Sequence, residues 1–164
     1  MTSLDASSSA LEEIRGALDE YRGAGYQLGI TALYVLLCPA LLSSHNCEAA
    51  LEVIEQGLII TSRNSERIFE AELYRLKARA LLVRGAADAN TAAQSLLDQA
   101  LSTARSQHAK ALELRAATDR AALCIDQGRR EEALEFLAPI HTWFTEGFET
   151  QDLKQAKALL DRLR

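Results

Sequence analysis

The chain has 164 residues, carries a formal net charge of −5, and is 48% hydrophobic and 25% charged. A chain of that size buries a substantial core as one domain, and the balance is that of an ordinary globular protein. The negative charge and the lack of any long Lys/Arg run exclude the basic footprint that a nucleic acid requires.

Ala, Leu, Glu, Arg and Gln, all strong helix formers, dominate the chain, and it has only two prolines and eight glycines. The expectation is an all-α fold, with residues 1–9 as a flexible N-terminus and 10–164 as a single domain. Eight helices are predicted in chain order. The first, over about 10–22, opens on a capping box of Ser9 and Glu12 and carries Leu11, Ile14, Leu18 and Tyr21 as one apolar stripe, closed by Gly23 and Gly25. The second, about 27–42, is apolar nearly all round and should be buried on several sides, with Pro39 as a candidate kink. A turn at 43–46 leads to the third, about 47–63. Asn64 or Ser65 is expected to cap the fourth, about 66–84, which Gly85 ends. The fifth covers about 91–107, and the sixth about 109–127 before Gly128. The seventh covers about 130–146, and the eighth 151–163.

An internal repeat relates these elements. Aligning Gly85 with Gly128 gives an offset of 43 residues, which superposes KARALLVRG (77–85) on RAALCIDQG (120–128) and IEQGLIITSRN (54–64) on LDQALSTARSQ (97–107). NCEAAL (46–51) likewise echoes RREEAL (129–134). A helix pair cannot bury its apolar face alone, so such units must stack.

Helical periodicity supports stacking independently. At about 100° per residue, Phe69, Leu73, Leu76, Ala80 and Val83 fall on one flank of the fourth helix, while Ala71, Tyr74, Ala78, Leu81 and Leu82 fall nearly opposite. The sixth helix repeats this, with Leu112, Ala116 and Leu123 against Leu114, Ala117, Ala121, Cys124 and Ile125. Two apolar flanks mean packing on two sides at once.

The tetratricopeptide signature is partly present. Ala133, Leu137 and Ile140 after Gly128 fall where that repeat wants a small and then two apolar residues, and Ala78 and Ala121 take the small position between paired helices. The usual Trp and Pro landmarks are missing, and the period exceeds the usual 34 or so residues. The fold expected is therefore a tetratricopeptide-like, right-handed superhelix of stacked hairpins with lengthened helices. AELYRLKARALL (71–82), ARSQHAKALELRAA (104–117) and LAPIHTWFTEGFETQDLKQAKALLDRL (137–163) resemble the C-terminal region of large bacterial adenylate or guanylate cyclase–ATPase fusions, among the signal-transducing NTPases. That resemblance covers about residues 27–163. It implies a sensor or scaffold arm that holds an inducer, a partner protein or a neighbouring ATPase module. Neither a cyclase core nor a GxxxxGK[ST] phosphate loop accompanies it here.

The residues offer little chemistry. His45 and Cys47 are two apart in a turn, but no second pair with ligand spacing joins them; a polar turn is the simpler reading, and no metal or cofactor is expected. His108 reads as a linker residue and His141 as a partly packed one. No HExxH, GxSxG or glycine-rich phosphate loop is found, so no catalytic residue is assigned and the protein is expected not to be an enzyme. Cys38 and Cys124 fall in apolar surroundings and read as core residues. Three widely spaced cysteines fit a reducing compartment. The polar, acidic N-terminus shows no signal peptide, and the apolar run 30–42 is too short to span a bilayer. A cytoplasmic location is expected.

Three surfaces remain. Glu72, Arg75 and Arg79 form a polar stripe that stacking sets beside Arg115, Thr118 and Asp119, lining a concave groove. Arginine in excess there would suit an acidic peptide or a carboxylate terminus, while the plainer reading is a solvated face with intrahelical ion pairs. Leu28, Ile30, Tyr34 and Leu37 are expected as an exposed apolar edge at the N-terminal end, open to homodimerisation. Trp143, Phe144 and Phe148 read as core beneath a capping helix, with a partner hot spot as the lesser alternative. The function expected is a non-catalytic protein-interaction scaffold. The alternative is a module that binds a small inducer between repeats.

Overall fold

In a computed structural model of the chain, the residues described are 12, 13, 16–21, 23, 24, 29–64 and 66–163. The expected Ser9 cap, Leu11, Ile14, Gly25 and Ser65 lie outside them. Among the described residues every regular element is helical: α1, with described helical residues 12, 13, 16–21 and 23, then α2 (Ile30–Ser43), α3 (Cys47–Asn64), α4 (Glu70–Arg84), α5 (Ala89–Ser106), α6 (Lys110–Asp126), α7 (Arg130–Thr142) and α8 (Gln151–Leu163). Each helix from α2 onward packs on its successor.

The connections divide the stack into two layers. α2, α4, α6 and α8 touch one another in that order, whereas α3, α5 and α7 do not come into contact with each other. The even-numbered helices therefore form one continuous wall, with α3, α5 and α7 arranged behind it.

Both apolar flanks of α4 are used. Leu73, Leu76 and Ala80 join the cluster of Leu18, Ile30, Tyr34, Leu37, Cys38, Leu41, Ala50 and Ile54. Ala78 and Leu82 face the other way, onto Ala93, Leu97 and Leu123. A third cluster holds Leu114, Ala117, Ala121, Ala133, Leu137 and Ile140 together with Leu153, Ala156 and Leu160 of α8. The small positions Ala78 and Ala121 are completely buried.

The repeat is also visible in backbone and charge. Gly85 and Gly128 end successive units in the same left-handed conformation, at φ 74° and 77°, which glycine adopts without a Cβ penalty. The pair Arg67–Glu70 recurs 43 residues later as Lys110–Glu113, each joining residues three apart at the start of a helix.

Several boundaries differ from expectation for local reasons. α4 begins at Glu70, with Phe69 rather than Asn64 or Ser65 at its N-cap; Asn64 is still in α3. Glu66 is drawn away to serve α2, accepting the Gly29 N–H at 3.1 Å and the Thr31 hydroxyl at 2.5 Å. α2 has no acidic residue in its first turn, so this carboxylate satisfies donors that would otherwise lack partners. α7 ends at Thr142 rather than near 146. Its final turn tightens as the Phe144 N–H bonds the His141 carbonyl, and Phe144 turns onto the C-terminal cluster. Pro39 is accommodated within a continuous α2. Among the described residues, no helix is long and apolar enough to cross a membrane.

The expected apolar edge needs correction. Ile30, Tyr34 and Leu37 are buried, at 4%, 1% and 3% exposure, because the face on which they lie packs against Leu18 and Tyr21 of α1 and against α3 and α4. Leu28 lies outside the described residues. The large apolar side chain that α2 exposes instead is Leu36.

Candidate concave binding site

The even-numbered wall carries a cleft of about 570 Å³ lined by Pro39 of α2, Arg75 and Arg79 of α4, Arg115, Thr118 and Asp119 of α6, and Gln151, Asp152 and Gln155 of α8. All four inner helices contribute. Five of the six expected groove residues are brought together in it, and the sixth, Glu72, lies buried beneath.

A connected ion-pair network holds these groups. The Arg75 guanidinium donates Nε–H to Glu72 at 2.9 Å and an Nη2 hydrogen to its other oxygen at 2.6 Å, the bidentate fork that suits a carboxylate. Its Nη1 reaches Asp119 on α6 at 2.6 Å. Arg115 donates to Asp152 on α8 at 2.6 Å and to Glu72 at 3.4 Å. One chain of charge thus ties α4 to α6 and α6 to α8. Thr118 turns its hydroxyl back to the Leu114 carbonyl. Arg79 is exposed and forms no ion pair among the described residues.

The stripe therefore differs from the solvated row of charges expected. Glu72 and Arg75 are only 3% and 8% exposed. Burial alone would push the Glu72 carboxyl up, but the hydrogen bonds and charges of Arg75 and Arg115 outweigh it and hold that group below the usual carboxylate range. Burial would likewise lower Arg75; its bonds to Glu72 and Asp119 prevail and raise it further. By count arginine is not in excess either: Arg75, Arg79 and Arg115 stand against Asp119, Asp152 and the underlying Glu72, although only Arg75 and Arg115 pair with them.

Glu113 repeats this behaviour at the start of α6. Desolvation opposes its ionisation, but Arg105 and Lys110 hold it below its usual range. The unfolded chain, with glutamates titrating near pH 4.3 or so, therefore binds protons before the folded one does. The stability from both carboxylates is complete above that value and is lost as pH falls through their lowered folded values. Thermal melts should show a plateau from neutrality to about pH 5 and a fall below about pH 4. Glu72→Gln should flatten that fall, and an acid limb unchanged in Glu72→Gln would show that Glu72 does not contribute to it.

The remaining candidates fall elsewhere. Phe144 packs on the C-terminal core, but Trp143 and Phe148 are 57% and 49% exposed, so the aromatic cluster is only partly core. Trp143 lies edge-on to Phe144, with the Lys110 ammonium 5.5 Å from its ring centroid. Cys38 is fully buried, and burial followed by the nearby Glu72 charge pushes its thiol up to about 12, far from a reactive thiolate. Cys124 is also buried, beside the Arg120 guanidinium. His45 and His108 both occupy turns with positive φ. Among the described residues, no group of three His, Cys, Asp or Glu side chains is placed to hold a metal.

Sequence reasoning missed Pro39, Gln151, Asp152 and Gln155. Asp152 lies 37 residues from Arg115, so no local spacing announces the pair. The polar face of α8 was the only signal available.

Among solved structures the chain is similar to the nearly identical TPR-like repeats assigned to a kinesin light chain of Podosopora anserina. One crystal structure matches with a TM-score of 0.68 at 19% identity, covering 96% of this chain and 77% of that one. A single-residue variant of the same repeats matches with a TM-score of 0.69 at the same 19% identity, covering 96% and 76%. No protein-family profile and no curated protein matches the chain. At that identity the likeness defines the fold: helices packed as sequential pairs in a tetratricopeptide-like repeat array.

Proposed function

We propose that this protein is a non-catalytic interaction scaffold whose inner wall, α2–α4–α6–α8, holds a segment of a partner protein. The observation that carries the reading is the cleft that all four inner helices build together. Its ionisable groups favour binding over chemistry. Glu72, Arg75, Asp119, Arg115 and Asp152 are matched to one another in ion pairs. The resemblance of residues 71–82, 104–117 and 137–163 to cyclase–ATPase fusions supports a role as the sensor or regulatory arm of a bacterial signalling ATPase or cyclase, in the cytoplasm.

A photo-crosslinking residue placed at Gln155, on the cleft, should capture a partner from a bacterial lysate. The same residue at Glu131, exposed on α7, should not. Capture from Glu131 alone would move the binding face to the outer helices. The cleft volume also falls within the range for small ligands, about 300–1,000 Å³, and this favours the inducer-sensing alternative; but such pockets are mostly apolar, and this lining is mostly polar. A thermal shift with metabolites and no capture from Gln155 would establish that alternative.

A further inference from the structure

The charges along the inner wall are not equally available to a partner. Arg75 is committed to Glu72 and Asp119, and Arg115 to Asp152 and Glu72. Arg79 alone among the lining guanidiniums is exposed and without an ion pair among the described residues. It also lines a second hollow, of about 390 Å³, which shares Asp119 with the cleft, is walled by Leu82, Val83, Leu97, Ala122 and Leu123, and carries Asn90 and the exposed Asp126 at its polar side. Val83 is half exposed there, so apolar surface remains to be covered. On the opposite side of Arg79, α8 presents Gln151 and Gln155 to the cleft. These two are one helical turn apart and so share a face. Both are exposed, and neither side chain forms a hydrogen bond among the described residues. A side-chain amide offers a donor and an acceptor together, which matches a peptide main chain.

We infer that the occupant is an extended partner segment carrying one carboxylate side chain beside an aliphatic one. The carboxylate pairs with Arg79, the aliphatic side chain fills the hollow of Leu82, Val83, Ala122 and Leu123, and the main chain lies against Gln151 and Gln155. The inference rests on the inner wall being the binding face. Charge complementarity limits the acid to one: Arg79 is the single uncommitted guanidinium of the wall, and the carboxylates of Asp119 and Asp126 line the hollow beside it. Further acids would have to displace Asp119 or Asp152 from pairs that already exist, or remain unpaired against them. Acidic runs should therefore gain nothing over one acid.

The experiment is selection of a displayed library of short random peptides on the full chain, compared among wild type, Arg79→Glu and Gln151→Ala/Gln155→Ala. All three positions are exposed, so the variants should keep the wild-type helical content and melting point. Wild type should enrich sequences with one Asp or Glu next to Leu, Ile or Val. The best of these should bind Arg79→Glu about ten-fold more weakly and recover when its acid is changed to Lys. The double glutamine variant should weaken all selected peptides alike. Enrichment of polyacidic peptides, or of peptides indifferent to Arg79→Glu, would overturn the inference. If such peptides still compete with crosslinking from Gln155, the inner wall stands as the binding face and only its specificity is wrong. No enrichment, with crosslinks from Glu131 alone, would overturn both.

Discussion

Arg75→Ala is expected to lower the unfolding free energy by about 3 kcal/mol and the melting point by roughly 6–12 °C. The cost comes less from the ion pair itself than from what its loss leaves behind. Glu72 is 3% exposed, and without Arg75 its one remaining ionic partner among the described residues is Arg115 at 3.4 Å. A buried carboxylate so weakly paired is costly, whereas an apolar pair of similar volume in the same space costs little. Arg75→Met with Glu72→Leu should accordingly recover most of the loss. Asp119 and Arg115 tolerate this replacement because Asp119 is partly exposed and Arg115 keeps Asp152. Urea titrations followed by helical circular dichroism give both numbers. A double variant no more stable than Arg75→Ala would mean that the network sets the spacing of α4 and α6 rather than merely satisfying its own charges.

Leu73→Ala should cost a similar amount, about 3 kcal/mol, from lost burial and the cavity left behind. Leu73 is fully buried and sits where α4 crosses α3 at Gly57. A Cβ at position 57 would lie 3.0 Å from both Leu73 methyl carbons and 3.3 Å from the Tyr34 ring. That closeness couples the two sites. In the wild type, Gly57→Ala gains about 1 kcal/mol of helix propensity but meets overpacking of about 1–3 kcal/mol, so the net effect should be destabilising. In Leu73→Ala the closest clash is gone and Gly57→Ala should become stabilising. A double-mutant cycle that is additive within experimental error would show that the two helices separate freely at this point.

Much of the architecture was legible because it is governed by local pattern. The two apolar flanks of α4 follow from residue spacing alone, and a helix apolar on two sides has to be packed on two sides. Gly85 and Gly128 marked the unit ends because a left-handed terminus favours glycine. α8 was bounded correctly, since Gly147 and Thr150 precede it and its apolar positions recur with helical period. The boundaries that failed did so where a distant group intervened. The start of α4 moved when Glu66 was taken by α2, and α7 shortened as Phe144 turned toward the core.

The candidate site was legible only in membership. Arg75, Arg79, Arg115, Thr118 and Asp119 could be brought together by the repeat offset, because stacked units set equivalent positions side by side. Their roles could not be read that way. A stripe of charges looks the same in sequence whether it is solvated or buried. Likewise, the row Ile30, Tyr34 and Leu37 looks like an open edge unless the packing of α1 is known.

By itself, then, the amino-acid sequence determined the helices, their pairing into repeated units and the side on which polar residues gather, since each depends on periodicity within some forty residues. Only the tertiary structure decided which charges are spent and which are available. Ion pairing depends on distances between α4, α6 and α8, and those distances are set by how the helices pack rather than by how far apart their residues lie along the chain.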